Sequence, residues 1–389
     1  MSKLINYRNK VTKVVVGVMS GTSLDAIDVA FVEISNYSIN TKHKLIAFKS
    51  IPIESSLKDR LHAACEGNLT MRECFELDID LGMIYVDSIL DCAKTNNLSI
   101  DMIDAIGLHG QTVFHNPNRK PIGLTIQIGS GSVVAQNLAT IVVNDFRTND
   151  VAAGGHGAPL VPYCDYLLLH DKNVNKVSLN IGGISNITWL GKNTTLDNLI
   201  AFDTGPGNMI IDSAMLEFYN KKYDENGDVA LTGQVNEEWL TEILSKKYYH
   251  LKPPKSTGRE QFGEETSKAL TVRGRSIGLS NQDIISTITA VTSRSIAMGI
   301  NNFCRNEESV DEIIIGGGGF HNSAIIKYLK GEFVGTTFSS SDKYNLPVDA
   351  KESICFAILA NETLNEIRSN VPNVTGAKNH VICGSIRIG

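Results

Sequence analysis

VVVGVMSGTSLDAIDVAFVE, Val14 to Glu33, is an apolar run, a turn of small residues and a second apolar run. A reduced copy, VSLNIGGISNITWL, occupies Val177 to Leu190. Two β-patterned segments joined by a tight Gly-, Ser- and Thr-rich turn predict a β-hairpin. Such a turn buries little, but it presents successive backbone N–H groups and hydroxyls to an anion. Two of them in one chain predict two halves gripping one polyphosphate.

Outward from the first hairpin, a β-like run near 44–53 is followed by helical patterns around 55–66 and 70–96, with Asn96–Asn97 as the stop. DAIGLHG (104–110) and IVVNDF (141–146) read as buried strands on either side of a turn and helix at 127–139. After the second hairpin come a strand at 199–203, a helix from about Met209 to Tyr219, a Pro- and Gly-bounded loop at 253–263 and a helix around 282–305. EIIIGGGG (312–319) runs from strand into helix, and 350–367 reads as a strongly amphipathic helix. Strand, loop and helix thus alternate twice in matching order, which predicts an α/β protein built from a duplicated domain. The boundary is expected near 146–151: an N-terminal α/β domain over 1–147, to which the segment 368–389 is a candidate to return, and a C-terminal α/β domain over 148–367.

A length of 389 residues suits two domains with a small-molecule cleft between them. A net charge of −6 argues against nucleic acid as the principal ligand, because binding phosphate backbones needs a basic footprint. Seven widely spaced cysteines without a CxxC pair read as reduced packing residues rather than a disulfide framework or a zinc site. No apolar run approaches the ~20 residues of a membrane helix. The opening MSKLINYRNK is read as leading directly into a strand, so the cytoplasm is the expected compartment. Composition leaves the assembly open; a C2 homodimer is common among enzymes of this size.

In MSGTSLDAID the small residues allow close backbone approach to phosphate, and a divalent cation is expected among Asp25 and Asp28, directly or through water. The plainer alternative is a structural hairpin with Asp at turn positions. NIGGISN (180–186) has the same build. FDTGPGN (202–208) carries Asp203 off an apolar run into a Gly-Pro-Gly turn, where it either projects as a general base or caps the turn or the next helix. The glycines 316–319 between a strand and a helix leave room for a flat ring or a ribose. HGQTVFH (109–115) has the wrong spacing for zinc; Gln111 and Thr112 read as partners for sugar hydroxyls or as a satisfied polar turn. Arg147 in DFRTND meets a substrate oxygen or pairs with Asp145 or Asp150, and Lys255 and Arg259 put two cations on one loop. Glu352 is an ordinary acid at a helix start.

Taken in order, GVMSGTSLDAID, HGQTVFH, DFR, GGHGAPLVP, NIGGISNIT, FDTGPGN, PPKSTGRE and IIIGGGG closely resemble the anhydro-N-acetylmuramic acid kinase family over nearly the whole chain. The resemblance implies the duplicated ribonuclease-H-like fold of sugar kinases, actin and the Hsp70 ATPase, with ATP and Mg2+ in an interdomain cleft. It implies hydrolysis of the 1,6-anhydro bridge of a small anhydrosugar and phosphorylation of O6. Asp203 would be the base that activates water. The ATP-binding residues would be Gly21, Thr22, Ser23, Leu24, Asp25, Ala26, Ile27 and Asp28, then Gly182, Gly183, Asn186, Gly205, Gly207 and Asn208, then Gly316, Gly317, Gly318 and Gly319. Gln111, Thr112, Arg147 and Glu352 would address the sugar. Family members usually read DFRRRD where Thr148 and Asn149 stand here, and commonly have Gly at Ala26 and Gln at His156. Two missing cations bear on recognition of the lactyl carboxylate of the muramic acid. Levoglucosan kinases, which also lack that arginine run and carry an AKE segment like 350–352, supply the alternative substrate. A second class, a nucleotide-driven binding module like actin or the Hsp70 ATPase, would leave HGQT and the Asp203 turn without work.

Overall fold

The computed structural model describes residues 2–21, 24–305 and 308–389. The chain divides into unit 1, Met1–Leu168 with Tyr344–Gly389, and unit 2, Leu169–Lys343.

Unit 1 is built on β1 (Thr12–Ser20), β2 (Ala26–Ser35), β3 (Lys42–Pro52), β4 (Ala105–Leu108) and β7 (Ile141–Asn144); a two-stranded ribbon of β5 (Gln111–Asn116) and β6 (Leu124–Ile128) interrupts the sequence between the last two. The sheet order is β3-β2-β1-β4-β7, with the hairpin strands antiparallel and β1, β4 and β7 parallel. Ser385–Ile388 adds an antiparallel edge on β7. Unit 2 holds β8 (Lys176–Ile181), β9 (Ile184–Leu190), β10 (Ile200–Pro206), β11 (Glu312–Gly316) and β12 (Thr337–Ser340), in the order β10-β9-β8-β11-β12. Its hairpin strands are antiparallel and β8, β11 and β12 are parallel. In each unit the third strand pairs with the second, the second with the first, the first with the fourth and the fourth with the fifth. The duplication read from the two hairpins is therefore a repeated ribonuclease-H-like topology.

The helices that cover unit 1 are set by local signals and by packing. Met71–Thr95 begins with a capping box, in which Thr70 and Glu73 satisfy each other's backbone N–H groups, and buries Leu77, Leu81, Tyr85 and Ile89 at helical spacing. Lys351–Leu364 differs from the amphipathic helix expected at 350–367: every residue from 353 to 364 is buried. The reason is a glycine saddle. A Cβ at Gly17 on β1 would lie 1.7 Å from Ser353 O, and one at Gly107 on β4 would lie 2.1 Å from Phe356 O, so the helix backbone rests directly on the sheet.

That contact also corrects the domain boundaries. Lys351–Leu364 belongs to unit 1, as does the helix Val161–Leu169 up to Leu168, so the breaks expected at 147/148 and 367/368 both fall inside unit 1. Tyr163 Oη donates to Glu362 Oε2 at 2.9 Å, and the buried pair Lys351–Asp165 closes at 2.6 Å. The opening segment also departs from expectation: Ser2–Asn9 is a helix, fastened by Tyr7 Oη to Asn361 Oδ1 at 2.8 Å and by Arg8 Nε to Leu364 O at 2.7 Å. Tertiary contacts rather than a periodic pattern specify it.

Among the described residues no helix is long and apolar enough to cross a membrane. All seven cysteines are free.

Gly331 lies in the exposed last turn of Ser323–Glu332, and a Cβ there would meet nothing within 4 Å. Gly331→Ala is therefore expected to stabilise unit 2 by about 0.5–1 kcal/mol through reduced unfolded-chain entropy. A fall in the urea midpoint of the variant would contradict this.

Candidate active site

In unit 2 the site residues stand in one row across the sheet. Asp203 on β10 faces Asn186 on β9, Asn186 faces Asn180 on β8, and Asn180 faces Gly316 on β11. Paired positions project to the same face of a sheet, so sheet register alone brings together three side chains from three strands. Asn180 is absent from the sequence expectations; its position in the NIGGISN motif is the signal that points to it.

Three glycine turns close around this row. Gly207 N and Asn208 N donate at 2.8 Å to Gly183 O and Gly182 O. A Cβ on Gly207 would lie 2.2 Å from Gly182 O, so no other residue fits this approach. Gly317, in the left-handed region at φ 79°, and Gly319 press against Ile181 in the same way. Gly183 and Gly318 are left exposed. Beside Gly318 opens a cavity of about 470 Å³, lined by Asn208, Asp212, Asp224, Asn226, His321 and Asn322 among others. Burial, reinforced by Asp224, pushes the Asp212 carboxyl up to about 7.

Asp203 does not cap the helix Met209–Tyr219. A β-bulge between Asp203 and Gly205 turns the strand at this point. The carboxylate Oδ2 accepts from Thr257 N at 2.9 Å, the Asp203 N–H donates to Lys255 O at 3.2 Å, and Tyr248 Oη donates to Asp203 O at 2.8 Å. Burial pushes the Asp203 carboxyl up to about 6, against the pull of the Thr257 N–H and the Lys255 ammonium. Lys255 does not extend into solvent beside Arg259 as two loop cations would: it is half-buried over aromatic rings, whereas Arg259 is exposed. That partnership is not readable from residue order, because Phe202 and Phe303 lie about fifty positions to either side and Tyr248 is brought back onto the lysine by the fold.

In unit 1, Leu24 is buried and in the left-handed region at φ 57°, and its N–H donates to Gly21 O at 3.2 Å. Thr22 and Ser23 lie outside the described residues. Asp25 is exposed and pairs with Lys58 at 3.0 Å. Ala26 and Ile27 open β2, and Asp28 follows, half-buried, with burial raising its carboxyl, a Ser50 hydrogen bond opposing and Asp349 adding.

Arg147 pairs with neither Asp145 nor Asp150. Its Nε and one terminal nitrogen reach His109 Nε2 at 3.0 and 2.8 Å, and the other donates to Gly157 O at 2.7 Å. Asp150 instead accepts from Gly157 N, Asn370 and Thr375. Burial, then the Arg147 charge, holds His109 neutral well below the usual imidazole range. Solvent reaches the Glu352 side chain, yet the protein around it desolvates the carboxyl enough to raise it; Arg147 and Lys351 oppose this and Asp28 adds to it. Asp28, Arg147 and Glu352 therefore share one electrostatic neighbourhood. Gln111 is buried with its amide oxygen unpartnered, and Thr112 Oγ1 accepts from Gln127 Nε2 at 3.2 Å. At the two departures from DFRRRD, Thr148 bonds Asp145 and Asn149 donates to Ile382 O at 2.9 Å.

Two copies of one strand order in a single chain define the class shared by sugar kinases, actin and the Hsp70 ATPase. Within it, the model of the family described as anhydro-N-acetylmuramic acid kinase matches residues 13–389. The anhydro-N-acetylmuramic acid kinase of Clostridioides difficile (strain 630) is 43% identical over 374 residues, covering 95% of this chain and 97% of that protein. That of Caldanaerobacter subterraneus subsp. tengcongensis is 37% identical with complete coverage of both, and that of Bacillus cereus (strain Q1) is 41% identical over 96% and 98%. The chain belongs to the anhydro-N-acetylmuramic acid kinase family.

Proposed function

We propose that the protein is an ATP-dependent kinase that opens the 1,6-anhydro bridge of anhydro-N-acetylmuramic acid and phosphorylates O6, giving N-acetylmuramic acid 6-phosphate and ADP. The observation that carries this reading is Asp203: a largely buried carboxylate with one oxygen fixed by a backbone N–H and a proton affinity raised to about 6, poised to be ionised yet basic at neutral pH. In this reading Asp203 takes a proton from water as the water oxygen bonds the anomeric carbon and the bond from that carbon to O6 breaks. The freed O6 then takes the γ-phosphoryl group and ADP leaves. Water, sugar and ATP thus account for all product atoms.

The glycine turns at 182–183, 205–208 and 316–319, with Asn186, are the nucleotide side of this reading; Gly21 to Asp28 supply the phosphate turn of unit 1. Gln111, Thr112, Arg147 and Glu352 form the sugar side in this reading, and the buried Gln111 oxygen is without a hydrogen-bond partner there. Among the described residues no group of three or more His, Cys, Asp or Glu is disposed to hold a metal ion, and Asp25 is ion-paired. Asp28 is then the carboxylate best placed for Mg2+ that is held mainly by nucleotide oxygens, the usual mode for this ion. When bound, it neutralises charge on the transferring phosphoryl group. The free cysteines fit a cytoplasmic setting.

ADP release measured with anhydro-N-acetylmuramic acid, with levoglucosan and with no sugar tests the reading. The muramic acid derivative is expected to give the largest rate. Equal rates in all three would remove the kinase assignment, and a preference for levoglucosan would transfer it to the plainer sugar.

A further inference from the structure

The loop that follows Pro253–Pro254 touches Asp203 in three ways. Lys255 accepts the Asp203 N–H through its carbonyl, Thr257 donates its N–H to the carboxylate, and the Lys255 side chain carries a positive charge beside it. The lysine is itself held. Its Nζ donates to Tyr248 O at 3.2 Å and lies 4.7, 5.5 and 5.5 Å from the ring centres of Tyr248, Phe202 and Phe303. Tyr248 in turn donates its hydroxyl to Asp203 O, so the base, the lysine and the tyrosine form a closed circuit. An ammonium facing three aromatic faces is stabilised by their quadrupoles without a neutralising carboxylate partner, so its charge remains available to Asp203.

We propose that Lys255 is a positioning residue for Asp203: held in its aromatic cage, it anchors the strap 255–257 against the carboxylate and keeps that carboxylate ionised at neutral pH. This rests on Asp203 being the base. The titratable groups facing Asp203 are Lys255 from the loop, Glu260 from the short helix Arg259–Phe262 and Tyr248 from the turn Lys247–His250; Lys255 opposes protonation and Glu260 promotes it. Asp203 faces Lys255 in return and holds its proton on, although burial brings the ammonium down to about 8. Lys255 therefore carries its charge through the range in which Asp203 titrates. The sign follows: removing the cation disfavours the carboxylate and moves its titration to higher pH.

The test uses the full chain with Lys255→Met, Lys255→Gln and the conservative Lys255→Arg. Titration of the Asp203 side-chain carbon by NMR, without any substrate, should show the midpoint rising by about one pH unit in Lys255→Met and Lys255→Gln and staying near wild type in Lys255→Arg. In sugar-dependent ADP release, the acid limb of kcat/KM should move with it. The deficit of the neutral variants should be about tenfold greater at pH 5.5 than at pH 8. Circular dichroism identifies any variant that fails to fold, and the remaining neutral variant then decides the outcome. An unmoved Asp203 midpoint in a folded neutral variant overturns the proposal. If no sugar supports turnover, the kinase reading fails alone and the NMR titration still decides the role of Lys255.

Discussion

Asp203→Asn is expected to lower sugar-dependent ADP release by roughly 10²–10⁴-fold, the contribution of a positioned general base, and to make the folded protein more stable at pH 7. The two effects share one cause. Burial raises the folded-state carboxyl from 3.8 to about 6, so the native state binds a proton more tightly than the unfolded chain does. Stability from this group is complete below the unfolded value and is lost as pH rises through about 6. At pH 7 the ionised carboxylate then costs roughly 3 kcal/mol, and a neutral amide of the same shape avoids that cost while still accepting from Thr257 N. Thermal melts from pH 4 to 8 should show the advantage of the Asn variant growing through pH 4–6 and levelling above it. An Asn variant with wild-type activity would remove Asp203 from the mechanism. One with the same melting profile at every pH would show that the carboxylate is not desolvated.

Gly17→Ala should be among the most damaging single-methyl changes available to unit 1. The added Cβ would sit 1.7 Å from Ser353 O and 2.7 Å from Ser353 C, backbone atoms of a helix buried on all sides over 353–364. Neither a rotamer change nor a flexible side-chain end relieves such a contact; the helix must lift from β1 or the sheet must bend. Overpacking of this kind costs about 3 kcal/mol or more. The consequence extends to the proposed sugar side, because Glu352 is the second residue of that helix. Loss of soluble expression, or a urea midpoint well below that of wild type with a raised KM for sugar, is the expected outcome. A variant that unfolds like wild type would show that the helix stands farther from the sheet.

Legibility in the sequence followed the range of the interactions. The two hairpins were readable because turn chemistry and period-2 patterning are local, and their repetition exposed the duplication. The glycine turns were readable for the same reason: at Gly207 and Gly317 no side chain fits, and that constraint shows directly as residue type. The helix at 351–364 misled because a helix buried all round keeps only a remnant of apolar period, with Ser353, Asn361, Glu362 and Thr363 inside it. Glu362 survives there because Ser38 N and Tyr163 Oη bond it, partners more than 190 positions away. The edge strand β12, TFSS, and the helix Ser2–Asn9 carry weak patterns and are specified by what they dock against. At the site, Asp203 was visible from its turn. Its aromatic-caged lysine was not, since neither a carboxylate's proton affinity nor a cation's surroundings is written in neighbouring letters.

The return of residues 344–389 to unit 1 has a consequence for the order of events on the ribosome. Unit 2 is one continuous stretch, 169–343, and all five of its strands are synthesised before the next segment. Unit 1 begins before it but lacks the helix seated on Gly17 and Gly107, and the strand beside β7, until residues 351–388 have been translated. Residues 1–168 must therefore wait, their sheet face uncovered, for residues 351–388, while the stretch between them is free to mature.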